Sequence, residues 1–311
     1  MKISRETFEK TSRWLKRNAR PLEVARWNHL FKGNNKNKVI EILEAYQNED
    51  GGFGHGIEPD FWLPQSSPMA SWYAGQILAE NGADNDDGIV GRLIGYLIKE
   101  YDPDKRLWSS VLPENNVYPH APWWHWEEKV QDNWMFNPSA ELAAFILNWS
   151  SQARNREIAT KVINEALKRL MVAEKMDFHE INNYQQLYYS LKMKEDEMET
   201  QLSFTIDQIY HKLKNLIEQS AEVDVNAWST GYKPLPLNFV VSADDPFCQI
   251  FGDLIEDNLN FYIEQLTEEG IWKIPWSWEQ YPDAFPVARR YWEGIIVVNR
   301  YKVLHAFNHV I

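Results

Sequence analysis

The sequence predicts an all-α protein, a single domain over residues 1–311, in which about six helical hairpins close into a ring. Three observations carry this expectation. Apolar residues recur at helical spacing along nearly the whole chain, with no strand alternation of useful length. The loop QNEDGGFGHGIEPD, Gln47 to Asp60, has a weaker echo in EEGIWKIPWSWEQ, Glu268 to Gln280. Each follows an amphipathic pattern, sets a glycine close before a large aromatic, and leads to a helix that opens on proline. Finally, alternate helices such as Met69 to Leu78 and Val287 to Leu304 are apolar over most of their surface, and a helix apolar all round is buried. Repeats of roughly 50 residues built as helix, loop, helix either stack or close, and buried alternate helices favour closure.

The elements follow in order. Phe8, Trp14 and Leu15 make an apolar stripe on a charged helix over Arg5 to Asn18; Pro21 opens a second helix to Phe31, which GNN at Gly33 to Asn35 breaks. Val39, Ile42, Leu43 and Tyr46 lead into the glycine-rich loop. Ser67-Pro68 supplies an N-cap and an N1 proline for the next helix, which stops at Gly82. Helical spacing resumes from Ile89 to Tyr101. A long irregular stretch containing YPHAPWWHWEEKVQDNW then reaches Asn137-Pro138 and a helix over Glu141 to Trp149. Arg156 to Ala173, Ile181 to Lys192 and Ser203 to Glu218 are helical, and a second loop rich in Pro and aromatics runs to Asp245-Pro246. Phe247 to Leu266 reads as one helix or as two broken near Gly252, and the last helix spans Pro286 to Asn308.

Composition narrows the function classes. Forty-five acidic against 32 basic residues give a net charge of −13, which disfavours nucleic acid as a partner. The single cysteine, Cys248, excludes an intrachain disulfide and any zinc site built on several thiolates, and suits a reducing compartment. No stretch approaches the ~18 apolar residues of a membrane span and the N-terminus has no apolar signal core. The expectation is a cytoplasmic protein with no transmembrane segment, compatible with peripheral membrane contact, needing no cofactor and holding no metal. No GxxxxGK, GxGxxG, GxSxG or HExxH pattern is present, which leaves ATP, dinucleotide, serine-hydrolase and zincin readings without support.

The segment Gln47 to Gly54, of QxxDGGFG type, and the degenerate segment Gly270 to Trp278 resemble the repeats of terpenoid cyclases and protein prenyltransferase β subunits. Asp50 to Asp60, with the final helix opening WxG at Trp292 to Gly294, resembles uncharacterised bacterial prenyltransferase-like and squalene-cyclase-like proteins of that superfamily. The resemblance covers most of the chain as architecture and about 30 residues as motif. It implies the (α/α)6 toroid and, more weakly, an isoprenoid substrate. The acid motif of the superfamily, DxDD, has a literal counterpart in DNDD at Asp84 to Asp87, but that follows the end of a helix and reads as a solvated turn. SADD, Ser242 to Asp245, precedes Pro246 on the plausible face yet has Ser242 where the first Asp belongs. The prenyltransferase zinc set is not matched, since Asp245 and Cys248 are spaced DxxC and His305 lies at the far end of its helix.

Three groups of residues could carry chemistry. His55, Glu58 and Asp60 fall within one loop, where neighbouring carboxylates and a histidine can have their pKa values driven apart for acid and base work, or can simply hydrogen-bond the loop. Asp244 joins them as a further candidate acid. Trp123, Trp124 and Trp126 flank His125, and Trp276 and Trp278 sit in the C-terminal loop; such rings stabilise cations, stack on sugars or pack. Arg289 and Arg290 are the best candidates for a diphosphate, against pairing with Glu293 or Asp283. His55, Glu58, Asp60, Trp124, His125, Asp244, Trp276 and Trp278 lie on loops leading into inner helices and are expected at one mouth of a ring, with Arg289 and Arg290 just inside the start of the last helix. The leading expectation is a terpenoid-cyclase-like protein that binds an isoprenoid or other apolar ligand in an aromatic-lined cavity, with acid-initiated chemistry from Asp60, Glu58 or Asp244. The alternatives are a carbohydrate-active (α/α)6 glycosidase or lyase and a non-catalytic binding protein. A polar wall among the aromatics marks the carbohydrate reading, and an apolar wall the isoprenoid one.

Overall fold

A computed structural model describes residues 1–33 and 36–310. Among these the regular elements are helices, joined by long irregular segments with isolated bridges and no extended strand. The helices are α1 (Arg5–Asn18), α2 (Pro21–Lys32), α3 (Lys36–Leu43), α4 (Pro68–Glu80), α5 (Gly88–Glu100), α6 (Gln131–Trp134), α7 (Ser139–Trp149), α8 (Ala153–Val172), α9 (Phe178–Met193), α10 (Glu195–Met198), α11 (Ile206–Ser220), α12 (Leu254–Glu264) and α13 (Phe285–Ala306). The break expected at Gly33 to Asn35 falls partly outside the described residues. Elsewhere the expected boundaries lie within a few residues of those observed, except that 247–266 holds one helix preceded by a 3-10 turn, Cys248–Ile250, with Gly252 at φ +51° before α12.

Two compact units arise, one from residues 1–42 with 221–311 and one from 43–220. In the second, hairpins α4/α5, α7/α8 and α9/α11 are arranged in two layers: α4 packs on α7 and α7 on α9, while α8 and α11 pack together behind them. The inner helix α7 is buried along Ser139 to Leu147, as its apolar sequence SAELAAFILNW requires. The α4–α7 approach is set by Gly75, where a Cβ would stand 2.3 Å from the Phe145 ring. Trp72 and Gln76 of α4 consequently reach α7 one turn N-terminal to Phe145. In the first unit α1, α2 and α13 pack on one another, and Gly294 lets α13 approach Ala19, which would be 2.9 Å from an added Cβ.

The glycine-rich loop is stapled within the second unit. Gln47 donates to the carbonyls of Gly51 and Ile89 at 2.9 and 3.0 Å and accepts from Arg92 at 2.7 Å, and so ties the loop to α5. Asp50 accepts from the Gly52 N–H and from Ser66. Of the three motif glycines only Gly51 has positive φ, +91°. Gly54 is required by close approach instead, its missing Cβ lying 2.3 Å from the Gln65 carbonyl oxygen. Phe53 is fully buried, and Ser67 caps α4 by accepting from Ala70 N–H, as its sequence position predicts.

Candidate functional site

The unit spanning 43–220 brings together most of the candidates from its own stretch of sequence. After Gly54 the loop pairs with the segment before α6. Phe61 bridges His120, Ala121 N–H donates to the Asp60 carbonyl at 2.7 Å, and Trp62 N–H to the Pro119 carbonyl at 2.9 Å. Glu58 and Asp60 are buried, and Glu58 Oε2 accepts the Asp60 N–H at 2.7 Å. His55 is exposed, adopts positive φ (57°) and meets Asn48 Oδ1 at 2.9 Å. Trp124 is buried against Phe61 and stacks on Trp134, with ring centroids 4.3 Å apart, whereas Trp123 and Trp126 remain 40% and 36% exposed on either side of it.

His125, exposed between those two rings, has a partner that the sequence did not single out. His120 stacks on it, with His120 Nε2 3.1 Å from His125 Nδ1, while His120 Nδ1 lies 2.7 Å from the Tyr118 carbonyl. A carbonyl only accepts, so in the neutral ring Nδ1 of His120 carries the proton and Nε2 accepts from His125. Burial depresses the His120 pKa and the neighbouring His125 adds to this, against the carbonyls of Tyr118 and Asn115. The pair therefore leaves His125 Nε2 as its outward atom.

The loops lead to the N-terminal ends of α4 and α7, where a group appears that sequence reasoning read only as the start of a helix. Glu141, in the first turn of α7, is 4% exposed. Its carboxyl accepts from the Trp72 indole N–H at 2.5 Å and from Gln76 Nε2 at 3.0 Å, both from α4. No cation pairs with it among the described residues. Burial raises its pKa to about 8, only partly opposed by the two donors. On the next inner helix, α9, Glu180 is buried and its pKa is raised to about 7 by burial, with Arg169 at 3.5 Å pulling the other way. Its neighbour His179 is exposed, with the Phe178 ring tilted against it at 3.9 Å.

The sides of α4, α7 and α9 not covered by the second layer carry planar polar and aromatic side chains. Trp72 and Gln76 are half-buried on α4, and Asn148 is exposed on α7, donating to Ser190 at 3.0 Å. His179, Asn182, Gln186 and Tyr189 recur at helical spacing along the accessible stripe of α9. The Asn182 carbonyl oxygen has no partner. A lone acid in an apolar helix was the available signal for Glu141; the α9 stripe gave none, because its polar residues match those of any solvated face.

The remaining candidates belong to the other unit. Asp244 is exposed, while its neighbour Asp245 is buried and accepts from the Phe247 N–H at 2.9 Å, so SADD forms a turn that opens a 3-10 helix. Trp278 is buried against Phe285, and Trp276 is half-buried, edge-on to Trp292 and Tyr232. Arg289 is exposed; Arg290 pairs with the buried Glu293 at 3.1 Å, which Lys273 also meets at 3.1 Å. In the 43–220 unit, Asp84 to Asp87 form an exposed turn whose carboxylates bond its own backbone. No three His, Cys, Asp or Glu side chains converge as a metal set among the described residues, and no helix there is long and apolar enough to cross a membrane. No protein-family model, curated protein or solved structure matches the chain.

Proposed function

We propose that the inner-helix face of the 43–220 unit binds a carbohydrate and that Glu141 protonates the glycosidic oxygen during its cleavage. The observation that carries this reading is the state of Glu141: a carboxyl held by an indole and an amide, without a cation, keeps its proton at neutral pH. Such a group is a competent donor to an ether oxygen whose C–O bond is breaking. It is far too weak an acid to protonate an alkene, the opening step of an acid-initiated isoprenoid cyclase. The lining points the same way. Amides, an imidazole and a phenol on α7 and α9 satisfy sugar hydroxyls and the half-buried Trp72 of α4 stacks on a sugar ring, whereas an isoprenoid needs an apolar wall.

In this reading the proton of Glu141 passes to the leaving oxygen as the C–O bond breaks. Water adds at the sugar carbon and its released proton restores the acid. Hairpins α4/α5, α7/α8 and α9/α11 are units of the kind that an (α/α)6 toroid repeats, and closure of all the hairpins into that ring is part of the proposal. The test is binding of a panel of neutral oligosaccharides, isoprenoid diphosphates and squalene-like hydrocarbons, read by native mass spectrometry and thermal shift. A ligand at ~100 times its dissociation constant stabilises the native state by about 2.7 kcal/mol, which is readily detected. Oligosaccharide binding weakened by Trp72→Ala is the expected result; binding of isoprenoids alone would overturn the reading.

A further inference from the structure

We propose that Arg300 anchors an anion-binding recess in the unit formed by residues 1–42 and 221–311, one that takes an organic carboxylate or phosphate ester carried on a ring. The guanidinium lies over the Tyr262 ring at 4.2 Å and over the Trp272 ring at 5.3 Å. Both rings are buried, and the Trp272 indole is fixed by donating to the Tyr262 carbonyl at 2.7 Å. Tyr262 is a neutral partner, its pKa raised by burial. Among the described residues no carboxylate lies within ion-pair distance of it.

That isolation is unusual for this chain. Carboxylates outnumber cations, with a net charge of −13, and the buried Arg20 of the same unit is matched. Arg20 makes a two-pronged pair with Glu23 at 2.9 and 2.8 Å, and Arg290 and Lys273 share Glu293. A guanidinium has five N–H donors, and a desolvated one left without an anion carries a cost that a ligand anion removes. Its surroundings also favour an acceptor. Trp292, Ile296 and Arg300 follow one another at four-residue spacing on one face of α13. Trp276 packs edge-on against Trp292 and Tyr232, at 5.4 and 5.3 Å, and the indole N–H groups of Trp276 and Trp292 have no acceptor. Tyr232 is 54% exposed and close enough to act electrostatically on Arg300. Arg300 thus stands without an anion on the same face of α13 as the half-buried Trp292, which with Trp276 and the exposed Tyr232 offers rings for a ligand to stack on.

The experiment titrates the full chain with inorganic phosphate, glucose 6-phosphate, glucuronate and benzoate, against glucose and sodium chloride at matched ionic strength, by thermal shift and tryptophan fluorescence. At least one anion is expected to saturate where chloride does not, and the arm that responds identifies phosphate or carboxylate as the group bound. Arg300→Met is expected to weaken that binding by ~100-fold and Arg300→Lys, which keeps the charge but loses the fork, by about tenfold. Glu141→Gln is expected to bind the same anion as the wild type, which separates this site from the acid of the inner face. Arg300→Met is also expected to fold with a midpoint at or above that of the wild type, because it removes an unpaired desolvated charge. An absence of any anion effect beyond chloride, undiminished binding in Arg300→Met, or failure of that variant to fold would each overturn the proposal.

Discussion

Glu141 couples the site to stability through its proton. Its folded pKa of about 8 lies above the ordinary glutamate value of 4.5, so the folded state binds the proton more tightly than the unfolded chain. The resulting stabilisation is complete below pH about 4.5 and is lost as pH rises through about 8. The shift corresponds to a contribution on the order of 3 to 5 kcal/mol across that window. Glu141→Gln is therefore expected to flatten the decline of stability with pH and to exceed the wild type in alkali, as urea unfolding at a series of pH values would read. Glu180, raised to about 7, contributes with the same sign over a narrower range and keeps some of the slope in that variant. Trp72→Phe removes a donor that favours the charged carboxylate, and is expected to shift the Glu141 titration upward when followed by carboxyl infrared absorption.

The helices depend on a few close approaches. An added Cβ at Gly75 would meet the Phe145 ring at 2.3 Å, so Gly75→Ala is expected to destabilise by roughly 1 to 3 kcal/mol, and Phe145→Leu to restore part of the loss in the double variant. Gly51→Ala combines φ +91° with a Cβ 2.2 Å from the Arg92 carbonyl oxygen, and should cost more than the ~1 kcal/mol of a glycine replaced in open space. Chemical denaturation of the three variants checks both. Such contacts explain what the sequence discloses and what it hides. Ser67-Pro68, the 3.6-residue spacing of α1 and α5, and the apolar run of α7 are local signals, and each marks an element directly. That Gln47 reaches α5, that Gly75 admits Phe145 and that Trp72 holds Glu141 are consequences of pairing between distant segments. The loop candidates His55, Glu58 and Asp60 stood out by composition alone. Glu141 was disguised as a first-turn acid, and His120 became significant only once its ring stacked on His125.

For the molecule as a whole, the proposed ring has a physical signature. A compact chain of this length is expected to show a radius of gyration of about 20 Å in small-angle scattering, and an open row of hairpins a clearly larger one. Function sets the more demanding requirement, since binding and proton transfer must be separable in the intact chain. Turnover of a bound oligosaccharide, followed by release of reducing ends from pH 5 to 10 in the wild type and in Glu141→Gln, measures both. The expected result is activity that falls as pH rises through about 8, where Glu141 loses its proton, and its loss in Glu141→Gln with oligosaccharide affinity retained. Wild-type turnover in Glu141→Gln, or an alkaline limb unchanged by that substitution, would contradict the assignment.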